Sequence, residues 1–384
     1  MNTVRFGIVG LGNIGSLYAK LLLEGKINRA ELVAVCSRSP DKLARYAKLK
    51  CFPKSEEMIR SGAMDALLIA TPHYSHTPIG IDALQRGLHV LVEKPISAHK
   101  ADCERLLAAH TNKQQVFAAI FNQRTDPFYI KIRDMVRNGE LGEVRRVNWI
   151  LTNAFRPEAY YASGGWRATW SGEGGGVLLN QAAHNLDLFQ WIFGMPKRVR
   201  AACGLGRYHQ IEVEDDVTAC LEYPNGATGA FVTSTGEAPG TSRLEVAAER
   251  GRIVYENDTL MFTRNEVPMS EFSRTATGSF DSPPHSEAKI ALEGHGGQHG
   301  EILQNFVDAI LDRKPLIAPA AEGIRSVELA NAMLLSSLQG RTVELPMNSA
   351  EYETVLKELI RNSKFTKPEV RPQTVQDMSK SFHH

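Results

Sequence analysis

The residues Val4 to Val9 form a short apolar run that stops at Gly10, and the chain then reads Gly10-Leu11-Gly12-Asn13-Ile14-Gly15. An apolar stripe at helical spacing follows, made of Leu17, Leu21 and Leu22. A G-x-G-x-x-G set between a strand and a helix leaves few folds open. Gly10 permits the tight turn, Gly12 lets the backbone approach a pyrophosphate, and Gly15 lets helix and strand pack closely. The helix N-terminus, opened by Asn13 and Ile14, offers free N–H groups and the positive end of its dipole to phosphate. A glycine turn without a ligand is the alternative, but the strand before it and the helix after it favour a dinucleotide site.

The alternation continues. Strands are predicted over 31–36, 65–70 and 89–93, with helices from about Asp41 and Thr77. This pattern predicts a doubly wound parallel sheet, a Rossmann domain, with ligand at the carboxyl ends of the strands. Ser37 and Arg38 follow the second strand, where an NAD site usually places Asp or Glu against the ribose 2′-hydroxyl. Serine and arginine suit a 2′-phosphate and favour NADP, whereas Arg38 stacked on adenine would accept NAD or NADP. Thr71, Pro72 and His73 follow the strand over 65–70, and His76 stands one turn into the next helix, where a cap or packing role is the alternative. Glu93-Lys94-Pro95 ends the strand over 89–93, where a nicotinamide ring would lie. There Lys94 can hold a substrate oxygen and stabilise a developing alkoxide; a surface salt bridge with Glu93 is the alternative. These rim residues, with Gln123, are the expected cofactor contacts beside Gly10, Gly12, Asn13, Ile14 and Gly15.

The pattern changes near Gln123. A proline-started helix is expected over 127–138, and alternating runs predict strands over 144–152, 198–203, 217–223, 228–234, 244–248 and 251–255. Tyr223-Pro224-Asn225-Gly226 is a hairpin turn signature, and helices over 300–312 and 322–338 close an antiparallel-dominated α+β domain. Three clusters could line a pocket for a small polar ligand: Asn122 with Arg124; Tyr160 and Tyr161 followed by Trp166, Arg167 and Trp170; and the glycine-rich stretch 294–297 with His295 and His299. Aromatic rings stack on the C–H faces of sugars while Arg and Asn bind the hydroxyls. Domain packing is the alternative for the tryptophans. No carboxylate or cysteine pattern completes a metal site around the two histidines, so no metal is expected. The acidic run 212–216 reads as a solvated face.

Length and composition bound the rest. A chain of 384 residues suggests two domains, placed at 1–122 and 123–363, with an extended or disordered tail over 364–384 whose last two histidines suggest a tag remnant. A net charge of +1 gives no electrostatic reason to expect nucleic acid or a membrane surface as partner. Five scattered cysteines without a C-x-x-C pair fit a reduced compartment. With no apolar run of membrane-spanning length and a first strand that starts at Val4, a cytoplasmic protein is expected.

The glycine fingerprint, Ala70-Thr71-Pro72 and Glu93-Lys94-Pro95 together resemble the Gfo/Idh/MocA family of glucose–fructose and inositol oxidoreductases. The stretch Gly174-Gly175-Gly176-Val177-Leu178-Leu179-Asn180-Gln181-Ala182-Ala183-His184 is similar to that family's glycine run, which leads to Asp and then His four residues on. The resemblance covers nearly the whole chain. It implies a Rossmann domain followed by a large open, mostly antiparallel sheet, and a homodimer or homotetramer. It also implies that Lys94 orients and polarises the reacting hydroxyl, and that His184 is the acid/base. Asn180 stands where many relatives have aspartate, so a charge is missing. On a helix, positions 180 and 184 would share one face, making Asn180 a substrate or acid/base neighbour.

The expected activity is NAD(P)-dependent hydride transfer between a nicotinamide and a secondary hydroxyl of a sugar, glycoside or inositol. Two alternatives stand beside it. One is an NAD-dependent glycosidase that oxidises, eliminates and re-reduces, because the stretch 294–297 resembles a loop of such enzymes. The other is a non-catalytic nucleotide-binding sugar sensor.

Overall fold

Strand β1 (Val4–Val9) is buried at every position but Arg5, as a strand covered on both faces must be. In the computed structural model, which describes residues 2–367, it lies at the centre of a six-stranded parallel sheet. The order is β3-β2-β1-β4-β5-β6, with β2 at Ala30–Cys36, β3 at Lys50–Phe52, β4 at Ala66–Ile69, β5 at His89–Val92 and β6 at Phe117–Ala119. The doubly wound parallel sheet expected from the sequence is therefore observed. Strands β3 and β6 escape a periodicity reading because each has only three residues. The strand order reverses between β1 and β4, which opens a crevice at their carboxyl ends.

The second sheet has nine strands: β7 (Val144–Leu151), β8 (Arg198–Leu205), β9 (Glu214–Glu222), β10 (Thr228–Ser234), β11 (Ser242–Ala248), β12 (Gly251–Glu256), β13 (Thr259–Asn265), β14 (His285–Ile290) and β15 (Val343–Glu344). Their order is β14-β13-β12-β11-β7-β10-β9-β8-β15, and every neighbouring pair is antiparallel except β7 with β10. The expected hairpin joins β9 to β10 through Gly226, whose φ of 89° suits glycine. Strand β14 is almost wholly exposed and carries no apolar alternation to read. One face of the sheet buries Val147, Trp149, Phe231, Leu244 and Val246 in a core shared with the helices Ala183–Phe193 and Ala320–Gln339.

Chain order and spatial order part company at one helix. Ile302, Leu303, Phe306 and Val307 of Gln298–Asp312 pack into the core of the parallel sheet, with the Phe306 ring 6.0 Å from that of Phe6. That helix lies well beyond residue 122 in sequence, yet it covers the dinucleotide-type sheet. Of the tail, residues 364–367 carry no regular structure, and the remainder with His383 and His384 lies outside the described residues.

Candidate active site

At the crevice Gly10 has φ 96°, and a Cβ there would come within 2.4 Å of the Ala70 carbonyl oxygen, so packing alone requires glycine. Gly12 differs: a Cβ there would meet nothing within 4 Å, because the residue borders open space. The helix Asn13–Leu23 begins at Gly12 with no side-chain cap and no acidic residue in its first turn, so its N–H groups stay available to an anion. Around the same rim Thr71 Oγ1, Asn122 Oδ1 and Gln123 Oε1 are buried without a hydrogen-bond partner among the described residues. Orphaned buried polar atoms are rare, and these fit the many hydroxyl and amide groups of a nicotinamide dinucleotide. Arg38 is exposed beyond the end of β2, and the Ser37 hydroxyl accepts from the Ser39 amide at 3.1 Å.

Two histidines brace this rim. His76 is fully buried, its ring nitrogens 2.9 Å from the Pro95 carbonyl and 2.7 Å from the Thr71 carbonyl. It ties the segment after β4 to the segment after β5, so any effect on a cofactor passes through those backbones. His73 Nδ1 lies 3.0 Å from the Glu173 carbonyl, and its ring meets the Trp166 ring edge-on at 5.4 Å. Burial pushes both imidazoles below their ordinary range.

Lys94 stands where the two sheets meet. Its Nζ donates to the Asn180 backbone carbonyl at 2.8 Å. The Asn180 side-chain amide donates to Glu173, whose other carboxylate oxygen accepts from the Ala168 amide at 2.6 Å. Behind Lys94, Glu93 accepts from the Lys94 amide at 2.9 Å and from the Tyr18 hydroxyl. Glu93 and Glu173 are both buried, so neither forms a surface salt bridge. Burial pulls the Lys94 ammonium below its ordinary range; Glu93 and Glu173 counter that, while Arg167 and Arg156 add to it. His299, its ring 5.7 Å from Tyr18, is drawn down to about 4 by burial and then by Lys94, so it is neutral near pH 7. His184, half-buried in the first turn of Ala183–Phe193, sets its ring edge-on to Phe121 at 6.3 Å.

Residues 4–121 match the family model described as an oxidoreductase family with an NAD-binding Rossmann fold, and residues 129–254 match the GFO/IDH/MocA C-terminal domain. The chain belongs to the Gfo/Idh/MocA oxidoreductases. It is 23% identical over 354 residues to myo-inositol 2-dehydrogenase of Thermotoga maritima, covering 89% of this chain and 98% of that enzyme. It is 24% identical over 360 residues to the NADP(+)-type scyllo-inositol 2-dehydrogenase of Bacillus subtilis, covering 90% and 97%. Among solved structures, the WlbA dehydrogenase of Bordetella pertussis with NADH and UDP-GlcNAcA superposes with a TM-score of 0.76 at 24% identity, over 90% of this chain and all of that one. As in that family, the cofactor is a nicotinamide dinucleotide, NAD or NADP.

Several candidate residues of this Gfo/Idh/MocA chain serve packing instead of a pocket. Arg124 is fully buried, with Nε and Nη2 each 2.7 Å from the Asp187 carboxylate and Nη1 bonded to Glu322. It is a strut between elements, and its guanidinium is spent there. Tyr161 is buried with its hydroxyl on Thr235 at 2.7 Å, and Trp170 sits in the main hydrophobic core. Neither presents a face to a ligand. Trp166 and Arg167, by contrast, are half-buried and lie near Lys94 and Glu173. Asn122 donates to the Gln298 side chain at 2.6 Å. Asn180 is not on the helix of His184, which begins at Ala183, so the two do not share a helical face; Asn180 lies in the preceding turn and meets Lys94 through its backbone.

The glycine-rich stretch is also tied down. His295 Nδ1 lies 2.9 Å from Asp126, and a Cβ on Gly296 would strike the Thr125 carbonyl at 2.0 Å. His295 and His299 therefore diverge. Among the described residues no group of three or more His, Cys, Asp or Glu is placed to hold a metal, and no helix is long and apolar enough to cross a membrane.

The acidic run is the main surprise. Glu214 and Asp215 are wholly buried, where the sequence suggested a solvated face. Glu214 accepts from the Gly176 amide at 2.8 Å and the Leu178 amide at 3.2 Å, holding the glycine run that delivers Asn180. Asp215 accepts from the Arg207, Tyr208 and His209 amides, and Glu212 accepts from the Trp170 amide. Charge alternation along a strand hides such roles, because burial of a carboxylate depends on donors from other segments. Glu173 was equally missed, although its position directly before the glycine run was a usable signal.

Proposed function

We propose that the chain oxidises a secondary hydroxyl of a sugar, glycoside or inositol, reversibly, with Lys94 and His184 as its working pair. The observation that carries this reading is the Lys94 amine at the carboxyl end of β5, held at 2.8 Å from the Asn180 carbonyl in the turn before His184. Gly10, Gly12, Asn13, Ile14 and Gly15 would hold the pyrophosphate, and Thr71, Pro72, Glu93 and Gln123 would line the nicotinamide half. Bound there, the dinucleotide supplies the hydride acceptor. Lys94 hydrogen-bonds the substrate oxygen and stabilises charge that develops on it. His184 takes the hydroxyl proton. Glu93 and Glu173 favour the ammonium form of Lys94, and Glu93 fixes its backbone by accepting from the Lys94 amide. Ser37 and Arg38 favour NADP. The division at residues 122 and 123, and a homodimer or homotetramer joined through the open face of the nine-stranded sheet, belong to the same reading.

The test is a cofactor-reduction screen over inositols, hexoses and aryl glycosides with NAD and NADP. One reduced cofactor per ketone formed supports the dehydrogenase. Many aglycones released per cofactor, without net reduction, would replace it with oxidation–elimination glycoside cleavage.

A further inference from the structure

Two arginines lie against one tyrosine ring close to Lys94. The Arg167 guanidinium is 4.8 Å from the Tyr160 ring centre and 4.6 Å from that of Trp166, and it donates to the Tyr160 hydroxyl at 2.9 Å. The Arg156 guanidinium lies 5.2 Å from the same Tyr160 ring. A third cation comes from far along the chain: Lys367 Nζ donates to the Gly164 carbonyl at 2.5 Å and the Arg167 carbonyl at 2.8 Å. The cluster is joined to the reacting end through Gln181, which donates to the Tyr160 hydroxyl at 3.2 Å and directly follows Asn180.

All three cations are half-buried, and among the described residues none has a carboxylate partner at ion-pair distance. Half-buried arginines elsewhere differ: Arg146 meets Glu245 at 2.6 Å and Arg243 meets Glu245 at 3.1 Å and Glu256 at 2.6 Å, whereas Arg133 lies over the Trp191 ring at 4.2 Å with no ion pair among the described residues. The carboxylate in reach of the cluster is Glu173, and its oxygens are already bonded to the Ala168 amide and Asn180. Three partly dehydrated cations that share one buried carboxylate, itself hydrogen-bonded elsewhere, are costly unless a further anion arrives to meet them. A guanidinium fork matches the paired oxygens of a carboxylate or phosphate.

We propose that the substrate is an anionic polyol, whose carboxylate or phosphate is seated by Arg156, Arg167 and Lys367 while its hydroxyl is presented to Lys94. This deepens the dehydrogenase reading and rests on it. Beyond burial, Glu93 and Glu173 raise Lys94 while Arg167 and Arg156 lower it, and Glu173 raises Lys367 while Arg167 lowers it, so the repulsion among the cations is only partly offset. An anion between them relieves that mutual repulsion.

The test compares matched substrates on the full-length enzyme with cofactor: a neutral hexose or inositol, the corresponding uronate, and the corresponding phosphate ester. Turnover is paired with calorimetric binding to the enzyme loaded with reduced cofactor, so a poor substrate still reports affinity. One anionic form should exceed the neutral parent in kcat/KM or affinity by about tenfold or more, and which one does so separates carboxylate from phosphate. Lys367→Gln should erase most of that preference by weakening the anionic form more than the neutral parent, and Arg167→Met should remove the preference as well. Lys367→Gln changes a side chain near the end of the described chain, so it remains informative if Arg167→Met fails to fold. Equal binding of neutral and anionic forms, or an equal loss of both in Lys367→Gln, overturns the proposal. If neutral polyols are oxidised without any anion preference, this inference fails alone; if no polyol, charged or neutral, binds or is oxidised, both readings fail.

Discussion

The Lys94 amine donates to the backbone carbonyl of Asn180 at 2.8 Å, and through that bond the end of β5 meets the turn that leads to His184. A lysine from the rim of the parallel sheet is thereby tied to the turn that precedes the helix Ala183–Phe193. The amide side chain of Asn180 faces the other way, toward Glu173. A buried carboxylate, that of Glu173, therefore stands against the side chain of residue 180.

Lys94→Ala and His184→Ala should each lower kcat by about 10²–10⁴, the usual worth of a positioned proton-transfer or oxyanion group. Cofactor affinity, carried by the glycine fingerprint, should stay within a few-fold. Steady-state rates beside a fluorescence titration of reduced cofactor separate the two effects. A variant retaining turnover within about threefold would lose its assigned role.

Arg38→Ala should weaken NADP more than NAD, because only NADP offers a 2′-phosphate to the exposed guanidinium at the end of β2. Calorimetric titration with both cofactors checks this. An equal loss for both would make Arg38 an adenine-stacking residue.

Glu173→Gln should move the alkaline limb of the pH–rate profile to lower pH. The Glu173 charge favours the Lys94 ammonium against the burial that depresses it, so removing that charge lets the amine lose its proton sooner. Asn180→Asp alone would set two buried carboxylates in contact and should cost activity. The double variant Glu173→Gln/Asn180→Asp restores one carboxylate and one amide, and should recover the alkaline limb. Additive losses in the double variant would show that the pair does not act through shared charge.

Glu214→Gln should stabilise the fold at pH 8 more than at pH 5. Burial lifts the Glu214 carboxyl to about 7, above its ordinary value, so the folded state holds a proton that the unfolded chain releases. Wild-type stability therefore declines as pH rises from the unfolded carboxylate range through about 7, while the glutamine, which still accepts from Gly176 and Leu178, has no such cost. Denaturant unfolding at both pH values measures the difference. A gap that widens toward pH 5 would contradict the sign.

Local and periodic features could be read directly from the amino-acid order. The apolar run before Gly10, the glycine spacing and the helical stripe after it are short-range facts, and they suffice for a Rossmann crevice. Lys94 could be placed at the sheet rim because a charged residue ending an apolar strand must sit there, whereas His184 was marked only by the resemblance to the family's glycine run. Tertiary structure alone decided which polar groups are spent on the protein and which face a ligand. Arg124 and Arg167 both lay in clusters that suited a sugar, yet Asp187 and Glu322 arrive to neutralise the first, while the second lies against aromatic rings with no ion pair among the described residues. The acidic run around Glu214 looked solvated because its donors, the amides of Gly176 and Leu178, lie nearly forty positions earlier. Lys367 reaches the Arg167 turn from about two hundred residues away. Burial and pairing of charge are set by partners distant in sequence, and no periodicity within a single segment carries that information.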